Sequence, residues 1–478
     1  MSRKHRISAR DVVQRIKDEE IRFLDLKFVD LFGTLQHLTV PAEVVDEGSF
    51  QTGFGFDGSS VKGFQKINES DMLLLPDPNS VFLDPFFDDP ALSVFCDISD
   101  PVRMKPYSRD PRGIARRAQR LVRSIGLADE VYFGPELEFF VFDEVSFDQA
   151  TQHGYYFLNS SAAFWAAGKE GTGSLGHQAA RKQAYFAAPP VDRYNNLRSK
   201  ISNVLRQTGL ETELHHHEVA AAGQCEIGFR FGPMLLQADA AIKYKYVVKN
   251  VVDRYGKTAT FMPKPLLQEN GSGMHMNMSL WKDGKNLFYS EGGYADLSEF
   301  AIFFIGGLLR HARALCAICA PTTNSYRRLV PGYEAPMNLI YSSRNRSACV
   351  RIPVSGASAK TKRVEFRTPD PSCNPYLGFA AVLMAGIDGV QNRIQPPAPV
   401  DEDIYQLAGT EGGQSIESTP ESLGEALQAL QEDHEFLLQG DVFTSDVIEA
   451  WIETKRQNEI DFIRLRPHPG EFSLYFNT

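Results

Sequence analysis

Apolar positions in the opening segment recur at helical spacing, with Val12, Val13 and Ile16 on one face of residues 8–20; Ser8 stands as N-cap and Asp11 reaches back to it. Strand-like runs at 21–29 and 35–40 flank a turn at 30–34, which predicts a hairpin. Prolines recur between 75 and 106 too often for helix. The stretch RDPRG then supplies Asp110 as N-cap and Pro111 in the first turn of a helix that runs to Gly126, its C-cap, and leads into a strand over 131–142. Helical patterns over 193–207, 235–255, 296–319 and 376–392 alternate with strand-like motif segments. The tail adds helical patterns at 423–438 and 445–463 before Phe472, Leu474 and Phe476 alternate.

A chain of 478 residues exceeds what one core usually accommodates, so two unequal domains are expected, 1–109 and 110–478, divided near Arg109. The mixture of strands and helices makes the class α+β. The most apolar segment, 300–309, ends at Arg310 and His311, well short of the roughly 20 residues needed to cross a bilayer. It reads as a buried helix, and no membrane partner is expected.

Hydrophobic residues form 43% and charged residues 23% of the chain, an ordinary globular composition. Fifty Lys and Arg against sixty Asp and Glu leave a formal charge of −10, without the basic surplus that nucleic acid demands. No secretion signal follows the basic start, and six cysteines are too few for a disulfide framework; a reducing, cytoplasmic setting fits. Cys316 and Cys319 form a lone CxxC in an apolar run. Core packing is the expectation there, because a structural zinc site takes four ligands.

Five motif groups carry chemistry. In GPELEFFVFD, Glu136 and Glu138 lie two apart on a predicted strand and share a face, about 7 Å apart. Two such carboxylates repel unless a cation sits between them. The run ELHHHEVAAAGQCE adds Glu213, His215, His216, His217, Glu218 and Glu226. In ENGSGMHMNMSL, His275, Asn277 and Ser279 alternate on one face behind a flexible Asn270–Gly271 loop. Arg328, Arg344, Arg346, Arg351, Lys360 and Arg363 gather where few acids interrupt, the composition of an anion site. Glu365 and Arg367 repeat the two-residue spacing. An antiparallel sheet curved around a charged cavity accommodates all five.

In order along the chain, FDGSS, GPELEFF, HHHEVAAAGQ, NGSGMH, RLVPGYEAP, RNRSA and VEFRTPDPSCNPYLG closely resemble the motifs of type I glutamine synthetases, the bacterial form. That resemblance implies a small N-terminal β-grasp-like domain ahead of a barrel-like catalytic domain, and ATP-dependent ligation of ammonia to L-glutamate through a γ-glutamyl phosphate. It implies one metal on Glu138, Glu218 and Glu226 and a second on Glu136, His275 and Glu365, as Mg2+ or Mn2+. Carried over residue by residue, Tyr185, Glu213, Phe231, Ser279, Arg351 and Lys360 contact ATP. Asn270, Gly271 and Arg328 orient glutamate, Arg346 and Arg367 offset charge on the transferred phosphoryl, and Asp57 and Glu334 serve ammonium. Twelve subunits in two hexameric rings, with active sites shared between neighbours, are the implied assembly.

Asn277 stands where many relatives have histidine, and one extra residue lies between Arg351 and Lys360. Around Tyr405 the sequence resembles the loop where some relatives are adenylylated, which makes an adenylylating enzyme a candidate partner, but the prolines usual after that tyrosine are missing. A ligase of the same fold acting on an organic amine is the alternative reading.

Overall fold

The computed structural model describes residues 6–64, 70–167, 176–333, 335–354, 358–402 and 416–478; Glu334 and Tyr405 lie outside them. The opening helix spans Ala9–Asp18, and Ser8 and Asp11 form the expected capping box. Strands Phe23–Val29 and Leu35–Pro41 pair antiparallel as a hairpin, its turn held by the Asp30 carboxylate, which accepts from the amides of Phe32 and Thr34. The first strand runs parallel to Ala91–Asp100, which pairs antiparallel with Asp71–Pro76, which in turn pairs with Phe54–Asp57. This twisted sheet is a β-grasp arrangement.

The helix Pro111–Ser124 begins as expected, with Asp110 accepting from the Arg112 amide. Arg112 is 3% exposed and joins both halves of the chain: it donates to Asp239 at 2.9 Å from two nitrogens, to Asp97 at 2.7 Å and to Asp77 at 2.9 Å. A second tie comes from Asn374, whose amide donates to the carbonyls of Asp30 and Leu31.

The larger sheet has the order Thr212–His217, Gln224–Phe229, Glu130–Phe142, Met274–Lys282, Val364–Phe366, Ala348–Arg351, Asn338–Ser342. It is antiparallel except at its far edge, where the last two strands run parallel. There the Ser342 hydroxyl takes the amides of Arg344 and Asn345 and folds the connection into an arch, so no hairpin forms.

Helices Met234–Arg254 and Pro375–Gln391 are buried along most of their length and form the core with Pro111–Ser124. Glu299–Arg310 presses on Pro375–Gln391 through glycines. A Cβ at Gly307 would stand 2.0 Å from the Ala385 carbonyl oxygen, and one at Gly389 would stand 2.2 Å from that of Phe303. Gly307→Ala is therefore expected to destabilise the protein by about 1–3 kcal/mol, read as a lower Tm by scanning calorimetry. An unchanged Tm would mean the helices separate without cost.

The single helix predicted over 296–319 is two, Glu299–Arg310 and Ala312–Cys319, bent by 72°. No single helix among the described residues is long and apolar enough to cross a membrane. At the bend His311 stacks on Phe436, with Nε2 3.0 Å from Asp388 and Nδ1 2.8 Å from Asp433. Burial opposes its charge, yet hydrogen bonds and attraction from Asp433 and Asp388 outweigh it and raise the pKa. A raised folded-state pKa contributes stability that is complete below the unfolded value, about 6.5, and is lost as pH climbs through the folded one. His311→Gln should thus lower Tm more at pH 6 than at pH 9; equal losses would remove the charge from the account.

Two tail expectations change. The pattern over 423–438 splits into Leu423–Glu432 and Glu435–Leu438. The alternating Phe472, Leu474 and Phe476 close a helix, Pro469–Tyr475, because Pro469 sits at its start and His468 and Glu471 form a capping box.

Candidate active site

Register assembles the site. His216 opposes Glu226, and Glu226 opposes Glu138, so three neighbouring strands set these side chains in one row. On the next strand His275 opposes Glu136, and Asn277 opposes Glu365, which opposes Arg351. Directly opposed residues share a face with Cβ atoms about 5 Å apart, so alternating polar residues on separate strands become one polar surface.

Two clusters result. Donor atoms of Glu136, His275 and Glu365 lie within 4.8 Å of one another, as do those of His216, Glu218 and Glu226. The first is the expected trio. In the second, His216 joins Glu218 and Glu226, while Glu138 lies beside them, its carboxylate accepting from the Gly273 amide and the Gln224 side chain, each at 3.0 Å. Strand alternation sorts the histidine run: His216 points toward Glu226, 3.9 Å away, whereas His215 meets Ser199 and Arg198 on the opposite face.

The cavity strains its own acids. Burial, then the offsetting Gly273 amide and Arg328, then repulsion from Glu136, leave the Glu138 carboxyl pushed up to about 7. Burial, followed by Glu136, Glu138 and Glu218, holds Glu226 well above the usual range. Burial and then Arg367 keep His275 well below its ordinary value, so its imidazole stays neutral and able to donate a lone pair. Clustered carboxylates with one neutral imidazole per trio form a donor set that divalent magnesium or manganese fits.

Arginines border the first cluster. Arg351 and Arg367 grip the Glu365 carboxylate at 2.8 and 2.6 Å. Arg328, 6% exposed, donates to the carbonyls of Thr368 and Arg367. It packs on Gly271, where a Cβ would meet the Pro263 carbonyl oxygen at 2.4 Å and Arg328 Cγ at 2.8 Å. Asn277 donates to Glu136 at 2.9 Å and accepts from Arg363 at 2.9 Å, so the amide bridges an acid and a base.

The remaining predicted residues belong to neither cluster. Phe231 meets Tyr132 edge to face at 5.8 Å, and Ser279 lies opposite Tyr132 in the ladder. Tyr185 stacks on Phe186 at 4.2 Å and edges onto His216. Glu213 sits at a register shift and is exposed, as are Lys360 and Arg346. Asp57 ends a strand of the N-terminal sheet, its exposed carboxylate bonded to Ser59 and Ser60 and held below the usual range by them. His216 and Gln224 were missed as partners of the acids. Their alternation was visible in the sequence, but the strand each faces was not.

Two family models match the chain: the glutamine synthetase β-grasp domain over residues 20–101 and the glutamine synthetase catalytic domain over 108–475. The chain belongs to the glutamine synthetase family. A glutamine synthetase of Frankia alni is 54% identical over 98% of this chain and 99% of its own, and one from Nostoc sp. is 51% identical over 98% and 99%. Among solved structures, Plasmodium falciparum glutamine synthetase superimposes with a TM-score of 0.91 at 30% identity, over 99% of this chain and all of that one. A GmaS–ADP complex gives 0.81 at 28%. The enzyme class expected from the sequence, a glutamate–ammonia ligase driven by ATP, stands, and the organic-amine alternative is not favoured.

Proposed function

We propose that the two clusters each hold a divalent cation, Mg2+ or Mn2+, one on Glu136, His275 and Glu365, the other on Glu138, Glu218 and Glu226 with His216 beside them. When bound, these ions supply positive charge that draws the phosphates of ATP and the carboxylate of glutamate together. The reading rests on one observation: the register that stacks His216, Glu226 and Glu138 in a row beside the opposed pair Glu136–His275.

Around that centre the chain's own groups position and neutralise. Arg328, Gly271 and Asn270 orient glutamate, its side-chain carboxylate takes the terminal phosphoryl group of ATP with ADP leaving, and ammonia, formed when ammonium gives up a proton, then displaces phosphate from the acyl phosphate. Arg351 and Arg367, already oriented by Glu365, offset charge on the transferred group together with Arg346. Tyr185, Glu213, Phe231, Ser279, Arg351 and Lys360 form the nucleotide side; ADP bound to the structurally similar GmaS supports a nucleotide here. Glu334 serves ammonium, and Tyr405 is the candidate for adenylylation.

Asp57 serves ammonium in a neighbour's site within a dodecamer of two rings, a role its exposure on the N-terminal sheet allows. The divide between the two domains falls at Arg109, and six buried free cysteines suit a reducing cytoplasm. Asp57→Ala should raise the KM for ammonium about tenfold or more and leave ATP binding intact, since a charge-assisted contact is worth about 1.5–3 kcal/mol. An unchanged KM removes Asp57 from the role. Phosphate release from ATP and glutamate, compared for ammonium, hydroxylamine and alkylamines with and without magnesium, tests the whole reading. Release that ignores magnesium, or that prefers an alkylamine, overturns it.

A further inference from the structure

A cleft of about 730 Å³ lies between the turn of the N-terminal hairpin and the helix Met234–Arg254, a volume typical of small-molecule sites. None of the residues assigned above to metal, nucleotide or glutamate lines it. Its charge is unusual for a chain with ten more acids than bases: Lys27, His37, Lys245 and Lys249 line it, and no Asp or Glu does. Lys27 is matched from behind by Asp25 at 2.6 Å and Asp84 at 3.4 Å, and His37 by Asp25 at 2.8 Å. Lys245 and Lys249 are not so matched. Among the described residues, Lys245 donates to the carbonyls of Pro371 and Cys373 and forms no ion pair, and neither does the exposed Lys249. Four apart on the helix Met234–Arg254, the two lysines share one face, one turn apart. Burial pushes the Lys245 ammonium down to about 8, and partial desolvation lowers that of Lys249, whose residue is exposed, so Lys245 above all gains from an anion brought within reach.

Four aromatic rings form part of the remaining wall, among aliphatic and small polar residues. Phe32, Phe87, Tyr246 and Phe261 line the cleft, and Lys27 lies 4.3 Å over the Tyr246 ring. A flat ring fits between such faces, and a dianion suits two ammonium groups better than a single charge does. We propose that this cleft binds a small aromatic phosphate as an effector of the enzyme.

The cleft also abuts the segments that hold Gly271 and Arg328. The Pro263 carbonyl on its wall accepts from the Ser272 amide at 2.8 Å and closes against Gly271. Asn324, on the same wall, accepts from the Lys264 amide at 2.7 Å and lies four residues before Arg328. Occupation of the cleft should therefore be felt as a change in the KM for glutamate. That coupling rests on the glutamate role proposed for Gly271 and Arg328, whereas binding does not.

Phenyl phosphate titrated calorimetrically into the assembled enzyme, with ADP saturating the nucleotide site, tests the proposal. The expected result is one site per subunit, with affinity about tenfold or more lower in both Lys249→Ala and Lys245→Met, the loss of one charge-assisted contact. Inorganic phosphate and benzyl alcohol should each bind more weakly than phenyl phosphate. Equal affinity in the wild type and both variants overturns the site, and so does inorganic phosphate that matches phenyl phosphate. No binding to the assembled enzyme overturns it as well, with a neighbouring copy's side chains filling the cleft. A KM for glutamate that shifts with phenyl phosphate in the wild type but not in Lys249→Ala supports the coupling. Binding without any shift in KM overturns the coupling and the glutamate reading behind it, and leaves the site standing.

Discussion

Glu365→Ala is expected to lower kcat/KM by about a thousandfold, because one carboxylate serves three neighbours. Its side chain is 2% exposed, grips Arg351 and Arg367, and stands 3.6 Å from His275 Nδ1. Removal leaves Arg367, at 7% exposure, with a buried positive charge and no ion pair among the described residues, a loss of about 3–5 kcal/mol. It also takes an oxygen from one proposed cation site. Manganese titration followed by electron paramagnetic resonance should count one tight ion fewer per subunit, and Tm should fall. If the variant binds the full complement of manganese and turns over at more than a tenth of the wild-type rate, Glu365 is not a ligand.

Gly271→Ala should act on a different step. The added methyl would collide with the Pro263 carbonyl oxygen at 2.4 Å and with Arg328 Cγ at 2.8 Å, and the carbonyl belongs to backbone that cannot swing aside. The backbone at residue 271 has to shift away from that oxygen, and the Arg328 side chain packed on it is displaced with it. A displacement near 1 Å of a substrate-positioning residue costs about a hundredfold, so the KM for glutamate should rise by that order while ATP affinity stays near the wild-type value. Gly424→Ala, where the new methyl meets only Ser422 Oγ at an ordinary 3.7 Å and φ is not positive, is the control for general damage. A glutamate KM that moves less than threefold would place glutamate elsewhere.

Much of this was legible along the chain. Two-residue spacing put Glu136 with Glu138 and Glu365 with Arg367 on common faces, and both pairs are found so, because strand alternation is a local property. Ladder partners are non-local, and there the sequence is silent. Nothing in it says that Glu226 faces Glu138 or that Arg351 faces Glu365, so the place of His216 beside Glu218 and Glu226 emerged only with the register. The same holds for the bend at His311, which depends on Asp388 and Asp433 from distant helices. At the far edge, an arch built on one serine hydroxyl changed strand direction without any glycine or proline signal.

The guanidinium of Arg112 has a thermodynamic consequence. Three carboxylates converge on it, two from the N-terminal sheet region and one from the long helix behind the catalytic sheet. Parting the halves would strand that cation or its anions in apolar surroundings, so neither half melts alone at low cost. Heat should reveal one cooperative endotherm rather than two, and a fragment ending near residue 109 should be cleaved by proteases under conditions where the intact polypeptide resists them.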